Sequence, residues 1–197
     1  MICTSHICLI GYCNLERFFH PLSITSVAPD IYHTKFLNET IVEALVGLLR
    51  EDINWKRGVY DRRYATHDIA LDKFYPDIYD LIKEQFDNMV IPAMSGVWSF
   101  GHKPEADTIF AVKYSEDTQI GLNEHIDEGC ISGSIKLNTE YKGGVLEFRR
   151  QKYSNKDVGI GDLIIWPSPL THPHLSTDVQ EGEKYAVTIW TDAKNNS

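Results

Sequence analysis

The stretch NEHIDEGCI, residues 123–131, places a histidine and an aspartate two positions apart between two apolar runs. Alternate residues of a strand point to the same side, so His125 and Asp127 can reach one metal ion together. The pair alone is a weak signal, because any exposed strand with alternating polar residues could carry it. A ferrous centre needs a second imidazole on the same face. His172 and His174 in the distant segment LTHPHL are the candidates.

The residues around the pair predict an α+β domain. Short β-rich runs follow it, separated by turn signals such as Gly143-Gly144: ISGSIKL (131–137), GVLEF (144–148), DLIIW (162–166) and YAVTIW (185–190). Before it, NETIVEALVGLLRED (38–52) reads as a helix with Asn38 as N-cap, and residues 75–94 read as a second helix with Pro76 in its first turn. Helices followed by many strands predict a sandwich or barrel with the helices packed on one sheet.

The net charge and the domain organisation of the chain narrow the range of possible functions. The formal charge of −9 argues against nucleic acid as the main partner, and no apolar run is long enough for a membrane span. Residues 1–28 show no clear periodicity and predict a poorly ordered N-terminal extension, followed by one domain over 29–197. Cys3, Cys8 and Cys13 have a spacing that is unusual for zinc and read mainly as plain thiols. No secretory signal is evident, so we expect an intracellular, cytoplasmic setting.

The order of these motifs resembles the 2-oxoglutarate- and iron(II)-dependent dioxygenases of the prolyl and lysyl hydroxylase branch. It looks most like the catalytic domain of procollagen lysyl hydroxylases. The similarity covers roughly residues 29–192 and is carried by PDIY (29–32), HDIAL (67–71), FAVKYSEDTQ (110–119), EHID (124–127), YKGGVLEF (141–148) and LTHPH with EGEKYAV (170–187). The resemblance implies a double-stranded β-helix, a distorted, cupin-like jelly roll.

The resemblance also implies the iron ligands, which would be His125, Asp127 and His174. His174 is preferred to His172 because only His174 has a glycine eight positions later and a basic residue, Lys184, ten positions later. His172 would then lie near the metal or support a ligand. No catalytic residue beyond the three metal ligands is implied, and the substrate-binding residues are not indicated.

Lys184 matches the residue that pairs with the distal carboxylate of 2-oxoglutarate in this family. The lysyl hydroxylases have arginine at this place and the collagen prolyl hydroxylases have lysine. The guanidinium of arginine can make two parallel hydrogen bonds to a carboxylate, whereas the ammonium of lysine is a single compact charge, so lysine could hold the co-substrate more weakly. The alternative reading is a surface lysine at the start of a strand.

Six further residues are candidates for the co-substrate pocket or for the core. Tyr114 matches a tyrosine that lines the co-substrate pocket, or it is an ordinary half-buried tyrosine. Ser132, Ser134 and Lys136 share one face of their strand. If that face lines the barrel, the serines could bind 2-oxoglutarate and Lys136 would rival Lys184; if it faces solvent, none has a role. Two tryptophans, Trp166 and Trp190, read as core aromatics.

The predicted function is therefore a dioxygenase that hydroxylates an unactivated C–H bond, with a peptidyl-lysine side chain as the best guess. Glu124 and Glu128 could attract a cationic substrate, although solvated charges are the commoner reading. Hydroxylation of peptidyl-proline, a free amino acid or another small molecule stays open. So does a catalytically silent jelly-roll binding module; a zinc hydrolase is less favoured, since no His-Glu-x-x-His motif is present.

The resemblance implies Fe(II), 2-oxoglutarate, O2 and ascorbate as cofactors or co-substrates, a peptide, protein or small-molecule substrate, and a homodimer. The chain lacks the glycosyltransferase domains of the collagen lysyl hydroxylases, so we expect a stand-alone enzyme of microbial or viral type.

Overall fold

In the part of the chain that the structure describes, four helices and a π-helical turn lie on one side of the molecule. The computed structural model describes residues 19–58 and 66–193. The helical elements are α1 (Glu39–Glu51), α2 (Leu71–Phe74), α3 (Pro76–Gln85), a π-helical turn (Phe86–Val90) and α4 (Ile91–Ser95). None of these described helices is long and apolar enough to cross a membrane.

The strands form two antiparallel sheets. They are β1 (Thr25–Ala28), β2 (Ile31–Lys35), β3 (Lys56–Arg57), β4 (His67–Ala70), β5 (Ala106–Ser115), β6 (Leu122–His125), β7 (Ile131–Lys136), β8 (Tyr141–Gly143), β9 (Leu146–Phe148), β10 (Tyr153–Ser154), β11 (Asp162–Pro167), β12 (His174–Ser176) and β13 (Val179–Thr191). The larger sheet has the order β1-β2-β11-β7-β13-β5-β4-β3, with β8 attached to β13, and the smaller has the order β10-β9-β12-β6. This arrangement is the predicted distorted jelly roll.

Helix α1 shows why the helices cover one face of the larger sheet. Asn38 caps the helix by accepting a hydrogen bond from the Ile41 N–H at 3.2 Å, as the sequence predicts. The apolar side chains of α1 recur at helical spacing and are buried in the main core, as are alternate residues of β13 (Tyr185, Val187 and Ile189). The opposite face of β13 carries Lys184 and Ala186 and points between the two sheets.

The second predicted helix, residues 75–94, is interrupted. It consists of α3, the π-helical turn and α4, whose second residue is Pro92. Proline has no N–H to donate to the preceding turn and its ring crowds the carbonyl four residues earlier, so the wider π-helical turn lies where a regular helix would be strained.

A second, smaller core fills the space between the two sheets. Ile31, Ile164 and Trp166 of the larger sheet meet Leu146 and Phe148 of the smaller one. Two of these side chains, Leu146 and Trp166, also line a pocket between the two sheets, so this core adjoins the space available for a site.

Part of the predicted extension belongs to the described structure. Phe19 packs edge-to-face on Phe36 at a ring distance of 5.1 Å, and β1 pairs with β2. Residues 1–18, with the three N-terminal cysteines, lie outside the described residues, so the predictions made for them stay predictions.

Candidate active site

Strand pairing in the smaller sheet brings the predicted metal ligands together. His125 ends β6 and His174 begins β12, and the two residues are directly paired across these antiparallel strands. Asp127 lies two residues beyond His125, in the loop that leads to β7. One ligand atom from each of the three residues lies within 4.8 Å of the other two.

Backbone carbonyls orient the two imidazoles. Nδ1 of His125 lies 2.8 Å from the Asn123 carbonyl oxygen, and Nδ1 of His174 lies 3.0 Å from the His172 carbonyl oxygen. A carbonyl oxygen only accepts, so each Nδ1 carries the hydrogen and each Nε2 presents its lone pair inward. The Nε2 atoms lie 3.6 Å from the two oxygens of Asp127.

Asp127 and His174 have pKa values shifted towards the protonation states that metal ligands need. Burial raises the pKa of Asp127, but the two imidazoles and a hydrogen bond from Ser132 outweigh burial, and the net pKa is lowered. Burial lowers the pKa of His174, more than the neighbouring carboxylate raises it. The site therefore offers an ionised carboxylate and a neutral imidazole at neutral pH.

The donor set fits a divalent cation. Asp127 is 6 % exposed, and its Oδ2 atom has no hydrogen-bond partner among the described residues. Three acceptors facing one another in a buried site repel unless a cation lies between them. Two imidazoles and one carboxylate with open positions beside them are the donor set of ferrous oxygenase centres.

His172 lies beside this centre without joining it. Its Nε2 donates to the Pro29 carbonyl at 3.1 Å, and its Nδ1 accepts from the Thr171 hydroxyl at 2.8 Å. Both ring nitrogens are thus engaged, and His172 contributes only its carbonyl, which orients His174. The geometry favours His174 as the ligand, in agreement with the spacing.

A pocket opens next to the three ligands, between the two sheets. It is lined by polar residues that the sequence analysis did not identify (Thr66, Ser176, Thr188) and by apolar ones such as Phe110, Val112 and Ala186. Thr66 immediately precedes β4 and Ser176 ends the short β12, where no motif marks them, and Thr188 lies within β13 on the face that points between the sheets.

Lys184 projects into this pocket from β13. Its side chain is 6 % exposed, its Nζ donates to the Ser176 hydroxyl at 3.0 Å, and it lies 4.9 Å above the Tyr114 ring. No carboxylate pairs with it among residues 19–58 and 66–193. Burial, with a smaller contribution from Lys136, lowers the pKa of Lys184 to about 7.

The Gly143-Gly144 turn leaves room for that lysine. Gly144 has a φ of +59°, and a Cβ there would lie 3.0 Å from Cδ of Lys184. A larger residue would therefore strain the turn and push on the lysine.

The three polar residues of β7 have different surroundings. Ser134 lines the pocket. Ser132 is fully buried, bonds to the Ser168 hydroxyl at 2.8 Å and supports Asp127. Lys136 donates to the Val158 carbonyl at 2.9 Å and does not line the pocket, so it is not a geometric rival of Lys184.

The aromatic and acidic residues near the His-x-Asp pair also differ in whether they line the pocket. Trp166 and Trp190 line the pocket, and Trp166 also packs edge-to-face on His174 at a ring distance of 4.9 Å. Trp166 is therefore both a core residue, as predicted, and a wall of the site. Both glutamates are exposed, and of the two only Glu128 lines the pocket.

Comparisons with known proteins point to the same branch. No protein-family model matches the chain. It is 23% identical over 202 residues to a procollagen-lysine,2-oxoglutarate 5-dioxygenase of Drosophila melanogaster (90% of this chain, 27% of the relative). It is 25% identical over 192 residues to procollagen-lysine,2-oxoglutarate 5-dioxygenase 2 of Homo sapiens (91% and 26%). The chain thus spans about a quarter of the length of these curated relatives.

Two solved structures share the fold. The viral collagen prolyl hydroxylase of Paramecium bursaria Chlorella virus-1, in its 2-oxoglutarate complex, matches with a TM-score of 0.62 at 14% identity, over 84% of this chain and 98% of that one. A Pseudomonas putida prolyl-4-hydroxylase matches with a TM-score of 0.55 at 14% identity, over 82% and 91%. These similarities confirm the predicted fold and the resemblance to the prolyl and lysyl hydroxylase branch.

Proposed function

We propose that this protein is a 2-oxoglutarate- and Fe(II)-dependent dioxygenase that hydroxylates an unactivated C–H bond, with a peptidyl-lysine side chain as the favoured target. The observation that carries the proposal is the convergence of His125, Asp127 and His174 beside a pocket that contains a buried lysine. The similarity to procollagen-lysine dioxygenases supports it.

In this proposal His125, Asp127 and His174 would hold Fe(II) beside the pocket. Bound iron supplies the oxidising chemistry with 2-oxoglutarate and O2, and ascorbate keeps the iron reduced. The chain fixes both imidazoles through their Nδ1 hydrogens, keeps Asp127 ionised, and surrounds the site with Phe148 and Trp166, which limit the access of water.

Lys184 would bind the distal carboxylate of 2-oxoglutarate. A buried ammonium without an anionic partner is costly, and a dicarboxylate that enters the pocket supplies that partner. Ser176 already accepts a hydrogen bond from this ammonium, and Tyr114 and Ser134 line the same pocket. We assign these residues to the co-substrate, with Ser132 as a support for Asp127.

A peptidyl-lysine is favoured over other substrates for two reasons. The curated relatives act, by their names, on procollagen lysine, and a carboxylate, Glu128, lines the pocket beside the metal ligands. One alternative is a peptidyl-proline, in line with the names of the two structural relatives, and another is a free amino acid or other small molecule. A silent binding module is disfavoured because it has no need of three convergent ligands together with a buried lysine.

Succinate formation tests the dioxygenase activity. Protein with Fe(II), ascorbate, 2-oxoglutarate and O2 should produce succinate, and Asp127→Ala should not, since it removes the one carboxylate among the three convergent ligands. Glu124→Ala, which changes an exposed carboxylate on the same segment, is the matched control and should retain activity. A protein that binds iron but never decarboxylates 2-oxoglutarate would support the silent module.

Mass spectrometry of peptides tests the substrate class. Paired peptides that differ only by lysine or proline at one position distinguish the two substrates. The gain of one oxygen on the lysine peptide alone supports the proposal, and a gain on the proline peptide alone supports the alternative.

Light scattering of the purified protein tests the proposed homodimer, and fractionation of the source cell tests the proposed intracellular location.

A further inference from the structure

A second group of metal-binding side chains lies outside the proposed iron site. His102 precedes β5, Cys130 precedes β7 and Asp192 follows β13. One ligand atom from each lies within 4.8 Å of the other two. Imidazole, thiolate and carboxylate are the three side-chain types that bind Zn²⁺ in proteins. The dioxygenase function uses none of the three.

The main chain holds two of these residues in place. Gly129 has a φ of +91°, and a Cβ there would lie 1.9 Å from the Thr191 carbonyl oxygen, so only glycine allows the two segments to approach so closely. The Cys130 N–H donates to that same carbonyl at 3.3 Å, and the Asp192 N–H donates to the Glu105 carbonyl at 3.0 Å. Both side chains therefore start from a fixed backbone.

The distances suit a zinc ion after a small movement. Nε2 of His102 lies 2.8 Å from Oδ2 of Asp192. Tetrahedral zinc, with bonds of about 2.0–2.3 Å, keeps its ligand atoms about 3.3–3.6 Å apart. The imidazole must thus retreat by less than about 1 Å, and it can, because 59% of the His102 side chain is exposed. Solvent on that side can supply a fourth ligand.

The charges of the Cys130 and Asp192 side chains would also balance that of a divalent ion. Burial raises the pKa of the Cys130 thiol, and its hydrogen bond to Asp192 raises it further, so without metal a proton lies between sulfur and carboxylate. A divalent ion would displace that proton. The resulting thiolate and the carboxylate together carry two negative charges, which neutralise the ion.

We propose that His102, Cys130 and Asp192 form a second binding site for a divalent transition metal, with zinc favoured by the ligand types. The ion would join three segments: the chain before β5, the end of β13, and the loop that carries Asp127 towards β7. Its binding would stabilise the folded chain and that loop.

Cobalt titration tests the site directly. Co²⁺ bound to a thiolate gives an intense near-ultraviolet charge-transfer absorption, and the proposed iron site contains no sulfur. Wild type and His174→Ala should both show the band, Cys130→Ser should lose it, and added Zn²⁺ should abolish it. His33→Ala is the matched control, because His33 makes the same 2.8 Å contact to Asp162 without a thiol, and it should leave the band unchanged.

Two results would overturn the proposal. The first is a wild-type protein without the band. The second is a band that persists in Cys130→Ser, which would assign the metal to other cysteines. If Cys130→Ser does not fold, His102→Ala decides the matter, since its mostly exposed side chain can be removed without loss of packing: an undiminished band and cobalt affinity in that variant would also refute the site.

Discussion

Replacing Lys184 by methionine should make the empty protein more stable and the co-substrate complex much weaker. The ammonium is buried, and its pKa falls from 10.5 to about 7, which corresponds to an upper limit of about 4 kcal/mol of destabilisation at neutral pH. Because the folded pKa is the lower one, this cost is fully present below pH 7 and disappears as the pH rises towards 10.5. Methionine keeps most of the packing and removes the charge.

The same substitution removes the partner proposed for the distal carboxylate. A charge-assisted hydrogen bond contributes about 1.5–3 kcal/mol, so the dissociation constant for 2-oxoglutarate should rise about 10- to 150-fold. Urea unfolding of the metal-free protein at pH 7 and pH 10 measures the first effect, and anaerobic calorimetry with Fe(II) and 2-oxoglutarate measures the second. The stability difference between variant and wild type should be large at pH 7 and small at pH 10.

Lys136→Met is the matched control, since its ammonium donates to backbone carbonyls outside the pocket. It should leave 2-oxoglutarate affinity nearly unchanged. The reasoning is refuted if Lys184→Met destabilises the empty protein at pH 7, or if it binds 2-oxoglutarate as tightly as wild type. A loss of affinity in Lys136→Met alone would transfer the role to that lysine.

Three further predictions concern pH, the turn beside the pocket and the core. Because Lys184 has a pKa of about 7 when the pocket is empty, 2-oxoglutarate affinity should fall above pH 7, and calorimetry in two buffers should detect uptake of about half a proton per site at pH 7. Gly144→Ala should weaken 2-oxoglutarate binding and lower the free energy of unfolding by about 1–2 kcal/mol, because its φ is positive and its Cβ would crowd Lys184. Gly47→Ala, in open space on α1, should raise the free energy of unfolding by about 0.5–1 kcal/mol. Urea unfolding measures both changes. Leu45 is fully buried, so Leu45→Ala should lower the free energy of unfolding by about 2–5 kcal/mol. Leu48 is 37% exposed, so Leu48→Ala should lower it much less.

The sequence predicted the elements whose side chains have a clear period. Helix α1 has an N-cap at Asn38 and an apolar stripe, and β7, β11 and β13 are long enough for their β-forming residues to stand out. The His-x-Asp pair and the later histidine were implied by the resemblance of their order and spacing to the hydroxylase family, and the structure brings the three residues together.

The sequence placed both His125 and Asp127 on one strand, whereas β6 ends at His125 and Asp127 lies in the following loop; it did not predict β12, although both strands build the site. They contain four and three residues, LNEH and HLS, and their polar side chains carry no alternating pattern. Their pairing, which places His174 opposite His125, depends on the register of two distant segments. The contact between Ser176 and Lys184 depends on the same packing, so no local pattern could reveal it.

The central claim is that His125, Asp127 and His174 hold Fe(II) in a form that also binds 2-oxoglutarate. Anaerobic absorption spectroscopy tests it most directly, because an iron–2-oxoglutarate complex has a visible charge-transfer band before any turnover. The band should appear in wild type, persist in His172→Ala, whose ring nitrogens bind Thr171 and Pro29, and be absent in His174→Ala. A wild-type protein without the band, or a band that survives His174→Ala and disappears in His172→Ala, would contradict the assignment.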